Sequence, residues 1–427
     1  MGSAGCNVYW FHFSNPNQRK DIQLKRFTSF FAVILAFLIP SVPAIAHPVG
    51  EHCCIYHETY GGIYKNSPRR AGGDITAATP GAIECVGLAA MKPGAPVEPY
   101  KYYLAPLGDY DVLVDVLYCG ICHSDIHALD GEFGRPGDLG HFPYVAGHEA
   151  VGRVAAVGSK VTQRKVGDIV GMGCYKGFCG HCDACGAHEE QYCPDYMLSY
   201  DLGGGMATKL VVPEDYAFAI PANVPLEKAG PLLCAGVTTY SAVKQCNVKP
   251  GMKCAVIGFG GLGHMAAKIM KYMGAEVTVF DINTTKAEAA KKMGFAFVDA
   301  NDEKTKWSMG YRFDVIISTA PAAYDLTPYV NMLKVHGRLH SLGLPNKPQT
   351  VMLPLVTIAN RTITGSAVGS VEDHREALAF CAAHDILPEV EVIRADEANG
   401  AMTKLRNATG EFRYVIDMKT LAAPASK

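Results

Sequence analysis

The stretch KCAVIGFGGLGHMAAKIMKYMGAEVTVFDI, Lys253 to Ile282, reads as strand, tight turn, helix and strand within one continuous segment. Gly258, Gly260, Gly261 and Gly263 make the turn. Glycines at these spacings permit a sharp bend, a close approach of backbone to a pyrophosphate and tight packing of the helix, whose N-terminus faces the anion. Asp281 ends the second strand, where a carboxylate suits the two ribose hydroxyls of NAD. Lys286, five residues on, is placed to reach a 2′-phosphate instead. A lone GxGxxG is weak evidence, but strand, helix and acidic residue agree here. The later runs FDVIISTA and GRLHSLGL read as further buried strands, so residues 235–368 are expected to form a doubly wound parallel sheet with helices on both faces.

Upstream the texture differs. AIECVGLAA, DVLVDVLYCG, AVGRVAAVGS, GDIVGMG and TKLVVPEDYAFAIP are short strand-like runs punctuated by glycine turns, which predicts an irregular antiparallel β barrel over residues 82–234. After residue 368 a helix at HREALAFCAAH and a strand at FRYVIDM are expected to return the chain, through residue 427, to that first domain.

Within the barrel segment, GFCGHCDACGAHEEQYC carries Cys179, Cys182, Cys185 and Cys193. Gaps of two, two and seven residues let one short loop wrap a tetrahedral ion, and disulfides between neighbours this close fit bridge geometry poorly. A closed, all-thiolate structural zinc is expected. Such an ion fastens a lobe and has no open position for chemistry.

Composition limits the partners. The 427 residues balance 39 Lys and Arg against 41 Asp and Glu, for a net charge of −2, with no basic run, so nucleic acid is not an expected partner. Fifteen cysteines, an odd number, fit thiolate ligation in a reducing compartment better than a disulfide framework. The N-terminus points the other way. Lys25 and Arg26 precede FFAVILAFLI, and Ala44-Ile45-Ala46 supplies an A-x-A cleavage pattern, so residues 1–46 read as a leader for export to a periplasm or the extracellular side. The alternative is an upstream extension on a cytoplasmic protein. Residues 47–81 lack any sustained period and read as a linker.

Three more strings carry metal-capable side chains: CGICHSDIH from Cys119, GHE from Gly147, and GPLLCAG around Cys234. Separately each is ordinary. In this order, with the four-cysteine loop between the second and third, they make the chain resemble the zinc-dependent medium-chain alcohol dehydrogenases, most closely the cinnamyl alcohol dehydrogenase branch, over residues 82–420. The resemblance implies a GroES-like catalytic domain and a Rossmann domain. It implies a second, catalytic zinc on Cys122, His148 and Cys234, the two-cysteine, one-histidine set known for alcohol dehydrogenases in general. Glu149 would be an alternate ligand or neighbouring carboxylate, and Asp125 would orient His148. Ser124 and His127 match a proton relay, with a surface histidine as the other reading of His127. Thr238 matches a position near the nicotinamide, or is a helix-start hydroxyl. Arg361 matches a pyrophosphate contact, or is a solvated arginine. His264, His336 and His340 are expected to be structural, and Cys119 matches no ligand.

The implied activity is hydride transfer between a primary alcohol, aromatic or medium-chain aliphatic, and NAD, preferred over NADP because of Asp281. A homodimer through the edge of the nucleotide-domain sheet, or a homotetramer, is the expected assembly by the same resemblance. Two alternatives stand beside it: a polyol or secondary-alcohol dehydrogenase on the same fold, and an exported zinc-binding protein with vestigial catalysis. The chain departs from the branch at Leu198, where the plant enzymes carry a bulky tryptophan. It also has a shorter segment after Tyr200, and an acid at position 281 where many NADP-using relatives carry small hydroxyls.

Overall fold

The computed structural model describes residues 80–131, 142–345, 347–410 and 412–422. The expected leader and nearly all of the expected linker lie outside the described residues.

The barrel segment supplies β1 (Ile83–Ala90), β2 (Val97–Leu104), β3 (Asp111–Ile121), β4 (Tyr144–Val145), β5 (Ala150–Val157), β6 (Ile169–Met172), β7 (Tyr175–Gly177), β8 (Met197–Leu198), β9 (Lys209–Pro213) and β10 (Phe218–Ala219). β1 pairs antiparallel with β2 and β4. β3, eleven residues long, is the central strand of the larger sheet and pairs antiparallel with β5 and β9. Its register against β5 shifts twice. Such bulges bend a strand and increase its twist, as an irregular barrel requires.

The nucleotide segment supplies β11 (Lys253–Ile257), β12 (Glu276–Asp281), β13 (Ala296–Asp299), β14 (Phe313–Ser318), β15 (Leu333–Ser341) and β16 (Thr362–Gly365). All pair in parallel, in the order β13-β12-β11-β14-β15-β16. β11 and β14 are almost wholly buried, as their mainly apolar sequences suit strands covered on both faces. The order reverses between β11 and β14, and the glycine turn sits at the end of β11, the crevice where doubly wound sheets bind ligands. Gly258 has φ of 87°, and a Cβ on Gly263 would fall 1.8 Å from the Gly258 carbonyl oxygen. A side chain would be strained at Gly258 and has no room at Gly263.

The chain returns through β17 (Glu391–Arg394) and β18 (Tyr414–Asp417), the latter antiparallel to β3 with Tyr414 opposite Ile121. Five helices matter for the site: α1 (His123–Leu129), α2 (Val237–Gln245), α3 (Gly263–Tyr272), α4 (Val371–Ala383) and α5 (Ala398–Arg406). α4 lies beyond the expected boundary at 368, yet Leu378, Cys381 and Ala382 join the apolar core under β11 and α3. That core also holds Val151, Phe218 and Ile220 of the barrel segment, so α4 packs against both segments.

Candidate active site

Cys122 immediately precedes α1, and Asp125, in the first turn, accepts the Cys122 backbone N–H at 2.8 Å through Oδ2. Its other oxygen, Oδ1, accepts from Gly147 N at 3.0 Å and lies 2.9 Å from His148 Nδ1. One buried carboxylate thus orients two candidate ligands from different segments. Cys234 comes from a π-helical turn, Leu232–Gly236, that leads into α2. Such wide turns recur at functional sites.

The ligand atoms of Cys122, His148, Glu149 and Cys234 lie within 4.8 Å of one another, all buried. The Cys122 and Cys234 sulfurs are 3.9 Å apart, and His148 Nε2 is 3.2 Å from Cys234 Sγ. Two thiolates on one tetrahedral zinc stand about 3.8 Å apart. The set therefore fits zinc.

Glu149 is fully buried, with Oε1 accepting from Arg413 Nη1 at 2.8 Å and Oε2 without a hydrogen-bond partner. Burial pushes its carboxyl up to about 7, against the opposing pull of Arg413. Gly120 makes room for it: a Cβ there would fall 2.0 Å from Oε2. The backbone amide of Gly120 also donates to the Glu149 carbonyl.

In the four-cysteine loop the ligand atoms again lie within 4.8 Å of one another, and the Cys179 and Cys185 sulfurs are 3.9 Å apart. Backbone N–H groups of Cys182, Cys185 and Cys179 donate to the sulfurs of Cys179, Cys182 and Cys193 at 3.3, 3.5 and 3.4 Å. The Cys185 amide is the main cause holding the Cys182 thiol down to about 7. These donors favour thiolate, the form a metal binds.

The chain also matches known proteins in sequence and in fold. Residues 108–222 match the alcohol dehydrogenase GroES-like domain and residues 261–383 the zinc-binding dehydrogenase domain. The NADP-dependent alcohol dehydrogenase C 1 of Mycolicibacterium smegmatis is 42% identical over 326 residues, 74% of this chain and 92% of that protein. The chain belongs to the zinc-binding alcohol dehydrogenase family. A probable cinnamyl alcohol dehydrogenase of Pinus radiata is 39% identical over 343 residues, 78% of this chain and 95% of that one. Among solved structures, a cinnamyl alcohol dehydrogenase from Sorghum bicolor superposes with a TM-score of 0.77 at 34% identity, covering 81% of this chain and all of that one. The Helicobacter pylori enzyme, solved with NADP(H), gives 0.74 at 37% identity, covering 79% and 99%. The protein is an alcohol oxidoreductase with GroES-like and Rossmann domains.

Around the dehydrogenase's glycine turn, Gly260 faces open space, while a Cβ on Gly261 would fall 2.6 Å from Arg413 Nε. Asp281 accepts from Phe259 N at 2.6 Å and Asn283 N at 2.8 Å, with Lys286 Nζ 3.3 Å away. Its carboxylate thus braces the turn besides closing β12. Thr238 is buried at the start of α2. Ser124 and His127 are half-buried on α1.

Arg361 needs correction. It is buried, donating to the carbonyls of Leu333, Leu355 and Asn331 at 2.8, 2.8 and 3.2 Å and lying over the Tyr311 ring. It locks a corner of the sheet and is neither solvated nor directed at the turn. His264 donates through Nδ1 to the Gly260 carbonyl and accepts the Glu389 amide at Nε2, a structural pairing.

Three residues that sequence reasoning did not place belong to the site. Arg413 joins Glu149 to the glycine turn. Cys174 is buried beside Cys234 and His148, and the hydrogen bond with Cys234 holds its thiol down to about 6. Tyr200 Oη lies 2.5 Å from His148 Nδ1. Cys174, five residues ahead of the four-cysteine loop, carried a faint signal by proximity. Arg413 carried none.

Proposed function

We propose that the protein is a two-zinc dehydrogenase that interconverts primary alcohols and aldehydes, aromatic or medium-chain aliphatic, with NAD preferred over NADP. The buried set of Cys122, His148 and Cys234 carries this reading, because a closed binding module has no use for three ligands beside an unpaired carboxylate oxygen. Zinc held there supplies Lewis acidity toward the substrate oxygen.

The protein's own groups do the rest. Asp125 holds the Nδ1 proton of His148, so that Nε2 keeps its lone pair for the metal. Ser124, two residues beyond Cys122, takes the alcohol proton, and His127, three residues further along α1, passes it outward. Arg413, packed against Gly261, would lend positive charge toward a pyrophosphate held at the glycine turn. Glu149 balances that charge from the other side.

Asp281 supports NAD, although the Mycolicibacterium relative is named as NADP-dependent and the Helicobacter enzyme was solved with NADP(H). Val335, Met352, Leu353, Ile358 and Ile363 are exposed on the nucleotide domain, in and between β15 and β16, the latter one of the sheet's two edge strands, and support pairing of two copies through that edge. Export rests on the leader signal, and cytoplasmic residence on the thiolate-rich sites and the need to recycle coenzyme. N-terminal sequencing of the native protein separates them, a start at His47 marking cleavage after Ala46.

The deciding experiment is turnover of benzyl alcohol and its aldehyde with each coenzyme, alongside elemental analysis. Two zinc ions per chain and saturable oxidation of benzyl alcohol are expected. An enzyme that turns over polyols or secondary alcohols and leaves benzyl alcohol untouched favours the other dehydrogenase reading.

A further inference from the structure

We propose that Tyr200 is a positioning residue for His148, sharing the Nδ1 proton with Asp125 and thereby fixing the tautomer and plane of the imidazole that faces the metal. This rests on the assignment of Cys122, His148 and Cys234 as zinc ligands.

His148 turns Nε2 toward Cys234 Sγ and Nδ1 toward two oxygens, Asp125 Oδ1 at 2.9 Å and Tyr200 Oη at 2.5 Å. A neutral imidazole has one proton. For Nε2 to ligate a metal the proton must sit on Nδ1, where both oxygens can accept it. Asp125 is already divided, since Oδ1 also takes the Gly147 amide and Oδ2 the Cys122 amide. Tyr200 supplies the second acceptor, and its ring meets the imidazole edge-on, at 5.4 Å and 84°, so it also blocks rotation of that ring.

The backbone holds Tyr200 from both sides. Ser199 N donates to the Cys174 carbonyl at 2.8 Å, while Gly204 N and Gly205 N donate to the carbonyls of Val145 and Gly147 at 2.9 and 2.7 Å. The short segment after Leu198 is thus tied to the strand that leads into His148, and Tyr200 itself is buried. A side chain so placed has a function for its hydroxyl that phenylalanine would not serve.

The test is Tyr200→Phe in the zinc-loaded enzyme, with zinc release into a chromogenic chelator followed over time. Wild type is expected to release two ions in separate phases. In Y200F one phase should quicken about 10- to 100-fold, the usual consequence of losing a partner behind a metal-bound histidine. The other phase and the thermal midpoint of the loaded protein should not change. Adding Y200F to Asp125→Asn should multiply the rate by less than it does alone, because both groups act on one proton. Unchanged release, or both phases quickened alike, overturns the proposal. If Y200F does not fold, 3-fluorotyrosine at position 200 keeps the shape and weakens the oxygen as acceptor, and unchanged release there overturns it equally. A wild type holding a single zinc overturns the ligand assignment along with it.

Discussion

Asp281 carries two duties that pull against each other. Its carboxylate accepts the Phe259 and Asn283 amides, so it steadies the glycine turn, and on the proposed reading it would also face the 2′ position of the coenzyme ribose. A phosphate about 5 Å from a carboxylate meets roughly 3 kcal/mol of repulsion per unit charge at an effective dielectric of 20. That is about a hundredfold in affinity. Lys286, 3.3 Å from the carboxylate, offsets part of it. Asp281→Ser is therefore expected to move the ratio of kcat/KM for NADP over NAD upward by about 10- to 100-fold, measured with one alcohol and both coenzymes. A ratio that stays put would show that Asp281 serves the turn alone and does not select the coenzyme.

At the level of elements, the two cysteine sets differ in what surrounds them. The loop of Cys179, Cys182, Cys185 and Cys193 is short and its sulfurs are held by its own amides, so its loss frees one segment of chain. Cys122, His148 and Cys234 come from the start of α1, the stretch before β5 and the turn before α2, and are buried under all three. Cys182→Ser is expected to lower the thermal midpoint and leave the activity of the surviving folded protein close to wild type. Cys122→Ser is expected to abolish turnover, with an intact far-ultraviolet spectrum. Differential scanning calorimetry beside steady-state rates separates the two outcomes. The α4 helix serves both segments: its apolar face joins a core that holds Val151, Phe218 and Ile220 of the barrel beside residues of β11 and α3.

For the whole molecule, acid stability follows from buried neutral histidines. Burial drives His264 down to about 3 and His374 down to about 4, against about 6.5 in an unfolded chain. Below pH 6.5 the unfolded chain binds protons that the native protein refuses, so stability is full above 6.5 and falls as the pH drops toward 4. Each histidine contributes a slope of about 1.4 kcal/mol per pH unit across that window. His264→Gln keeps an acceptor for the Glu389 amide and removes the titration. Its urea-unfolding free energy should fall less steeply than wild type between pH 6.5 and 5, and equal slopes would show that His264 is protonated in the folded state.

The sequence by itself determined the parts whose logic is local. A glycine turn between a buried strand and a helix, a loop with cysteines at fixed gaps, and an aspartate three residues after Cys122 each encode their geometry within a few residues of backbone. The nucleotide fold and the four-cysteine set follow from them, whereas the set of Cys122, His148 and Cys234 came only from the resemblance to a family. Only the tertiary structure decided which distant groups meet. Arg413 reaches Glu149 because β18 lies antiparallel to β3 with Tyr414 opposite Ile121, which sets Arg413 beside the strand that ends in the Cys122 segment. Tyr200 reaches His148 because the amides after it pair with the backbone around Gly147. Arg361 looked like a phosphate contact, and three backbone carbonyls at a sheet corner claimed it instead. A guanidinium or a phenol has the same sequence signature wherever it points. Its partner is fixed by strand register and by the burial that forbids leaving a polar group unpaired.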